Sequence, residues 1–381
     1  MQSKVSYLVG SGLTRYGKHE GQSTLDLMSQ AAQLALSDCG MVRGDIDALI
    51  CGYSTTFPHL MLSTVFAEYF GLKPSYSHSV QSGGATGFTL VMLANELIAS
   101  GAAKRVLVVG GENRLTGQSR DSAVQVLAQV GHPVYEVPLG PIIPSYYGLL
   151  ANRYMHEHGT TAEDLANLAV TMRRHACLHP GAQFDLPISV EDVLNSKIIS
   201  SPLKMLDCCP ISDGGCAFVI SEKPQGNNSV KIAGTAQHHN EQHVSALNSF
   251  SNFGAYSCTQ KALAKANLTL KDVEYAAIYD SFTITLTILL EEIGLAPKGQ
   301  AGRFAAEGYF DSNSKMPLNL HGGLLSYGHS GVAGAMAHLA ETHQQMTGRS
   351  GPRQTSKAGV SLLHGDGGVL SSHVSLVLKE V

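Results

Sequence analysis

The chain has 381 residues, 44% of them hydrophobic and 15% charged, with a formal net charge of -4. That length fills one large core or two joined ones, and the mild acidity, with no run of Lys or Arg, excludes a nucleic-acid surface. No stretch reaches the roughly 18–20 apolar residues that a membrane span needs.

Met1-Gln2-Ser3-Lys4-Val5 runs straight into a strand-like segment rather than a signal peptide. The seven cysteines, Cys39, Cys51, Cys177, Cys208, Cys209, Cys216 and Cys258, are odd in number and scattered. Neither a disulfide framework nor a zinc site is expected, and reduced thiols in a cytoplasmic protein are the simplest reading.

In chain order, an amphipathic helix through Ala35-Leu36 ends near Gly40, and a loop through Asp45-Ile46-Asp47 enters a strand at Ile50. Gly84-Ala85-Thr86-Gly87 opens a second helix running to about Ser100, followed by the apolar strand Arg105–Gly110. Residues 113 to 228 carry more Pro and several amphipathic helices, and read as an insertion lying over one face. The opening pattern then returns at a shift of 227 positions, without a gap, from Ala262-Leu263 through Asp272-Val273-Glu274 to Ala277. Gly328-His329-Ser330-Gly331 opens a helix to about Met346, and Val360–Leu363 is the next strand. Helices alternating with buried strands predict α/β units with right-handed crossovers, here two packed as a duplicated domain. The expected divisions are 1–112, an inserted loop domain with a return strand at 113–228, and a second half at 229–381.

Three segments carry a family resemblance. Ser82-Gly83-Gly84-Ala85-Thr86-Gly87 with Ala94–Gly101 resembles the nucleophile turn and helix of thiolases. Gly322–Gly331 is similar to the family's glycine-histidine motif, and Asp207–Gly214 to the segment that ends its insertion. The resemblance implies the thiolase fold, a five-layer α-β-α-β-α duplicated domain with an inserted loop domain. It is closest to the sterol carrier protein X, or lipid-transfer, branch, and within it to cysteine-less members that act as aldolases on steroid side-chain CoA esters.

The thiolase nucleophile, a cysteine, falls at Gly84, so covalent catalysis through a cysteine thioester is missing. Glycine at this position is expected to make room for a branched substituent on the substrate's Cβ. Ser82, two residues earlier, reads as a turn serine. The second motif is Tyr279-Asp280-Ser281-Phe282, where a tyrosine hydroxyl can donate to an oxyanion or pass a proton. The third keeps its histidine, His329, which the resemblance assigns to the hole that stabilises a thioester enolate. In the fourth, His364-Gly365-Asp366-Gly367-Gly368, His364 stands where thiolases place an acid/base cysteine, and an imidazole can serve as proton shuttle. The expected catalytic set is thus His329, Tyr279 and His364, with Gly84, Asp280 and Gly367 shaping the turns and the oxyanion site. Tyr327, His321, Tyr147, Met155 and His156 are the expected substrate contacts. His238, His239 and His243 read as a solvated loop without metal.

A pocket that holds a thioester enolate but forms no acyl-enzyme suits retro-aldol cleavage of a bulky β-hydroxyacyl-CoA. An atypical thiolase or acyltransferase, and a non-catalytic subunit binding acyl-CoA or lipid, are the rival readings. The resemblance implies a homodimer core and a small partner made of a zinc ribbon and an OB-fold. No tightly bound cofactor is expected, and CoA enters as part of the substrate.

Overall fold

The computed structural model describes residues 5–381. The first half runs β1 (Ser6–Leu13), α1 (Thr24–Asp38), β2 (Ala48–Gly52), α2 (Leu62–Phe70), β3 (Tyr76–Val80), α3 (Thr86–Ser100) and β4 (Arg105–Asn113). The insertion carries α4 (Arg120–Ala128), α5 (Ile143–His158), α6 (Ala162–Ala176), α7 (Val190–Asn195) and the small hairpin β5 (Ile198–Ser200) and β6 (Leu203–Lys204). β7 (Asp213–Ser221) returns to the first sheet. The second half runs β8 (Val230–His239), α8 (Ala255–Lys265), β9 (Tyr275–Ile278), α9 (Thr283–Ile293), α10 (Ala301–Ala306), α11 (Gly323–Ser326), α12 (Val332–Met346), β10 (Val360–Gly367) and β11 (Ser372–Glu380).

The duplication is visible in the strand order β3-β2-β4-β7-β1-β8-β11-β10-β9, which reads the same topology outward from the β1–β8 junction. Each half has one corresponding parallel pair, β2 with β4 through Ala48 and Val106, and β9 with β10 through Tyr275 and Ser361. In both halves the preceding loop is tied the same way: the Asp45 carboxylate accepts from the Val42 amide at 2.9 Å, and Asp272 from Thr269 at 2.7 Å. The second half lacks a full counterpart of β3 and keeps only the bridge Ala276–Leu318. The two sheets, expected as separate units, are joined by a short antiparallel pairing of Ser6, Tyr7 and Leu8 with Ile232, Lys231 and Val230.

Both sheet faces are covered, which is why the strands are apolar throughout rather than alternating. Val106 and Val108 of β4 and Leu363 of β10 point into one central cluster with Phe88 of α3 and Met336 of α12. Leu107 and Val109 face outward onto α1 and α2, while Leu362 faces α8, α9 and the insertion. The layers are therefore α, β, α, β, α, with α3 and α12 as the shared middle layer. Burying Phe88 in that layer contributes about 2–3 kcal/mol. Close approach at the strand ends is made by glycine: a side chain at Gly52 would overlap Val332 at the start of α12, whose Cβ lies 3.1 Å from the added carbon.

Candidate active site

The two middle helices start next to one another, and β9 and β10 end beside them. The turn Ser82–Ala85 before α3 lies directly on Asp366–Gly368 at the end of β10. A Cβ on Gly367 would overlap the Ser82 carbonyl and sit 3.2 Å from the Ala85 amide, so no larger residue fits there. Ser82 is turned into the first turn of α3, its hydroxyl 2.7 Å from that of Thr89 and its amide donating to Thr86 Oγ1 at 2.8 Å. It is part of the turn, as the sequence suggests.

Tyr279 leaves the end of β9, its amide donating to the His364 carbonyl at 2.9 Å. Its hydroxyl lies 3.1 Å from His329 Nε2, with the rings edge-on at 88°. His329 is held by Ser212, which accepts from its amide at 2.9 Å and donates its own amide to its carbonyl at 3.1 Å. Burial first, then the positive charge of Arg114, lowers the imidazole to about 3, so His329 is neutral at ordinary pH. Burial, reinforced by Cys209 and Asp366, pushes the Tyr279 phenol well above 10, so it keeps its proton. A neutral imidazole and a neutral phenol thus share one hydrogen bond, and either orientation of that proton is available.

Gly84 faces this pair directly. A Cβ built on it would lie 2.6 Å from Tyr279 Cζ, closer still to the hydroxyl oxygen, and 2.5 Å from the Asp366 carbonyl. The space freed at Gly84 is therefore not free for substrate, contrary to the sequence expectation: Tyr279 fills it.

Asp280 is fully buried and acts on structure around the site. Its carboxylate accepts from the Leu324 amide at 2.7 Å, the Leu325 amide at 3.3 Å and His338 Nε2 at 3.1 Å. It anchors the start of α11 on the end of β9, and Gly323, at φ +61°, is the only residue type that clears its carboxylate.

His364 does not join the pair. Gly365 packs on Phe88 of the central layer, so alternation along β10 turns His364 to the outer face, toward α8. There His373 Nε2 meets the Leu370 carbonyl at 3.1 Å and must carry hydrogen, leaving its Nδ1 to accept from His364 Nε2 at 3.0 Å. His364 Nδ1 then accepts from Ser375 Oγ at 2.8 Å. Both His364 nitrogens are engaged and the ring is without exposure, so the structure does not bring the expected shuttle to the Tyr279–His329 pair.

Of the expected substrate contacts, Tyr147 alone reaches the centre. Its hydroxyl lies 3.2 Å from both Asp366 Oδ2 and the Gly368 carbonyl, and its ring stacks on Phe282 at 4.4 Å. Tyr327 is core, packed on Tyr16 with its hydroxyl donating to the Thr14 carbonyl, and His321 is buried between Tyr327 and His338. Met155 packs on the second-half core and His156 is exposed on the outer side of α5. His239 lies exposed at the end of β8, with His238 half-buried beside it, rather than in a loop.

Three residues at the centre escaped the sequence reading. Asp366 is buried beside Tyr147, with Oδ1 unpartnered among the described residues and its carboxyl raised by burial. Cys209, whose amide donates to the Ser281 carbonyl at 3.0 Å, places a thiol near Tyr279. Arg114 follows β4 and acts on His329, Tyr279 and Cys209 together. Among the described residues no group of three His, Cys, Asp or Glu side chains is placed to hold a metal ion, and no helix is long and apolar enough to cross a membrane.

Residues 6–224 match the family described as Thiolase, N-terminal domain, and residues 236–380 the Thiolase C-terminal domain-like family. The chain belongs to the thiolase family. It is 31% identical to the steroid side-chain-cleaving aldolase of Thermomonospora curvata, over 90% of this chain and 92% of that one. It is 28% identical to the acetyl-CoA acetyltransferase of Methanothermobacter thermautotrophicus, over 96% and 98%. Among solved structures, the Ltp2-ChsH2(DUF35) aldolase superposes with a TM-score of 0.84 at 28% identity, covering 100% of this chain and 99% of that one. The chain is thus an enzyme of the thiolase superfamily whose relatives include both lyases and acyltransferases.

Proposed function

We propose that this thiolase-family chain cleaves a β-hydroxyacyl-CoA by a retro-aldol reaction through a thioester enolate. The observation that carries the reading is Gly84: the nucleophile's position holds no side chain, and the Tyr279 hydroxyl occupies its volume. At this position an acyl-enzyme therefore has neither a thiol nor the space to form, while the Tyr279–His329 pair retains what an enolate requires.

The Tyr279 hydroxyl takes the proton of the substrate's β-hydroxyl as it gives its own to His329 Nε2. The Cα–Cβ bond breaks, the β-carbon leaves as a ketone or aldehyde, and the electron pair becomes the enolate of the shortened thioester. A negative charge beside His329 raises the affinity of the imidazole for a proton, which offsets its low resting value. The imidazolium then faces the enolate oxygen, and the proton returns through the pair to Cα. A donor positioned for such an oxyanion contributes about 3 kcal/mol in other enzymes.

The acetyl-CoA acetyltransferases among the relatives favour thiolysis as the competing reaction. Cys209 is a thiol at the centre, but burial holds its pKa above the ordinary range, the reverse of nucleophile activation. As for assembly, a homodimer with a zinc-ribbon and OB-fold partner is the arrangement we propose, supported by the two-component name of the structural relative. CoA enters with the substrate.

The test is product analysis by mass spectrometry on β-hydroxyacyl- and β-ketoacyl-CoA esters, with and without free CoA. Cleavage of a β-hydroxy ester without free CoA is expected. Cleavage restricted to β-keto esters in the presence of CoA would replace this reading with thiolysis.

A further inference from the structure

We propose that Arg114 binds a carboxylate on the acyl arm, so that the thioesters this site takes are CoA esters of dicarboxylic acids. The inference deepens the acyl-CoA reading above and rests on it.

The side chain of Arg114 is only 10% exposed, yet its guanidinium is poorly met by the protein. Its Nε is buried without a partner among the described residues, and the nearest carboxylate oxygen, Glu112 Oε2, is 3.9 Å away. That oxygen is already engaged by the Thr55 hydroxyl, while Glu112 Oε1 is buried without a hydrogen-bond partner among the described residues. Glu112 is in turn fixed to the loop of His329: its carbonyl accepts from Ser330 Oγ at 3.2 Å, and its Oε1 leaves no space for a side chain at Gly331. Through Glu112 the guanidinium is tied to the segment that carries His329, and its charge acts on His329, Tyr279, Cys209 and Tyr53, four side chains from four separate segments.

Arg114 is ion-paired with Glu112 at 3.9 Å, but that is too long for a hydrogen bond, so a buried charged donor is left without an acceptor. A guanidinium presents a planar fork that matches a carboxylate in two parallel hydrogen bonds. The enolate oxygen is served by the Tyr279–His329 pair, which leaves the Arg114 fork for a second, permanent anion on the same substrate.

The experiment measures binding, not turnover, so that it does not depend on which reaction the site performs. Isothermal titration would compare succinyl-CoA with butyryl-CoA, and glutaryl-CoA with valeryl-CoA, on the intact protein. Each pair differs only in a terminal carboxylate. The carboxylated ester of at least one pair is expected to bind about tenfold or more tightly, the worth of a charge-assisted bidentate contact. In Arg114→Gln that gap should close while butyryl-CoA binding stays as in the wild type, which also shows that the variant is folded. Equal affinities within both pairs in the wild type would overturn the proposal without any variant. So would a gap that persists in Arg114→Gln. Failure of all four esters to bind would bring down the acyl-CoA reading and this inference together, whereas unequal binding without aldol turnover would leave only the reaction to be revised.

Discussion

Gly84→Ala places one carbon where the structure has no room for it. The new Cβ would lie 2.6 Å from Tyr279 Cζ and 2.5 Å from the Asp366 carbonyl, against ordinary contacts of 3.4–4 Å. The carbonyl belongs to the end of β10 and yields little, so the tyrosine ring must retreat by about 1 Å. That retreat breaks the 3.1 Å contact between its hydroxyl and His329 Nε2. A misplacement of about 1 Å in a reacting group costs about 100-fold in rate, and overpacking costs about 1–3 kcal/mol of stability. The assay is kcat on the cleaved β-hydroxyacyl ester, read beside the melting temperature. Adding Tyr279→Phe to Gly84→Ala removes the closest clash, so the double variant should regain part of the lost stability but none of the rate. Wild-type turnover with an unchanged melting temperature in Gly84→Ala would refute the claim that Tyr279 fills this space. By the same geometry, Gly84→Cys should displace the tyrosine and give no acyl-enzyme, which mass spectrometry of the intact chain would check.

Other consequences follow from single contacts. Tyr279→Phe keeps the buried ring and loses only the hydroxyl, so kcat should fall about 100-fold or more while stability changes by less than about 1.5 kcal/mol; an active Phe variant would remove Tyr279 from the proton path. His364→Ala leaves His373 and Ser375 unmatched and should cost about 2–3 kcal/mol in urea unfolding, with kcat of the folded protein unchanged. A specific loss of kcat there would restore His364 to the chemistry. Between pH 6 and 9 the chemical step should be nearly independent of pH, because His329 titrates at about 3 and the Tyr279 phenol well above 10. Stability should behave differently. His329 and His179 at about 3, His343 and His373 at about 4, and His321 and His364 well below 6.5 are neutral when folded and protonate on unfolding. Below pH 6.5 the unfolded state binds more protons, so stability falls as pH falls, by up to about 1.4 kcal/mol per unit for each histidine. Asp280 and Asp366, raised by burial, oppose this in part. Circular dichroism should show unfolding near pH 5, and a chain stable to pH 4 would contradict the burial of these imidazoles.

The fold was readable because duplication writes each element twice. The repeat from Ala35 to Ile50 and from Ala262 to Ala277 lands on β2 and β9 without a gap. The joining of the sheets at β1 and β8 was not readable, since edge pairing of three residues leaves no periodic signal. At the site, motif order located Gly84, Tyr279 and His329, but faces were harder than positions. His364 lies apart from the pair because its strand turns it to the outer face. The sequence held the answer: Gly365 and Gly367 alternate on one face, and two glycines two residues apart mark the side pressed against another element. His364 and Asp366 must then share the opposite face. Arg114 and Cys209 stand near glycine-rich segments, yet only the folded chain shows that both act electrostatically on Tyr279.

The duplicated architecture also has two places where a strand end of one half meets the helix start of the other. At one, the strand brings a large side chain, Tyr279, against a bare turn at Gly84; at the other, the strand end is bare at Gly52 and the helix brings Val332. The volume is filled both times, with bulk supplied from opposite partners. Only the first filling puts a hydroxyl at the junction; the second is hydrocarbon alone. A symmetric scaffold thus holds one junction with a hydroxyl and one without, so a substitution at the second is constrained by shape alone, while at the first shape and hydrogen bonding change together.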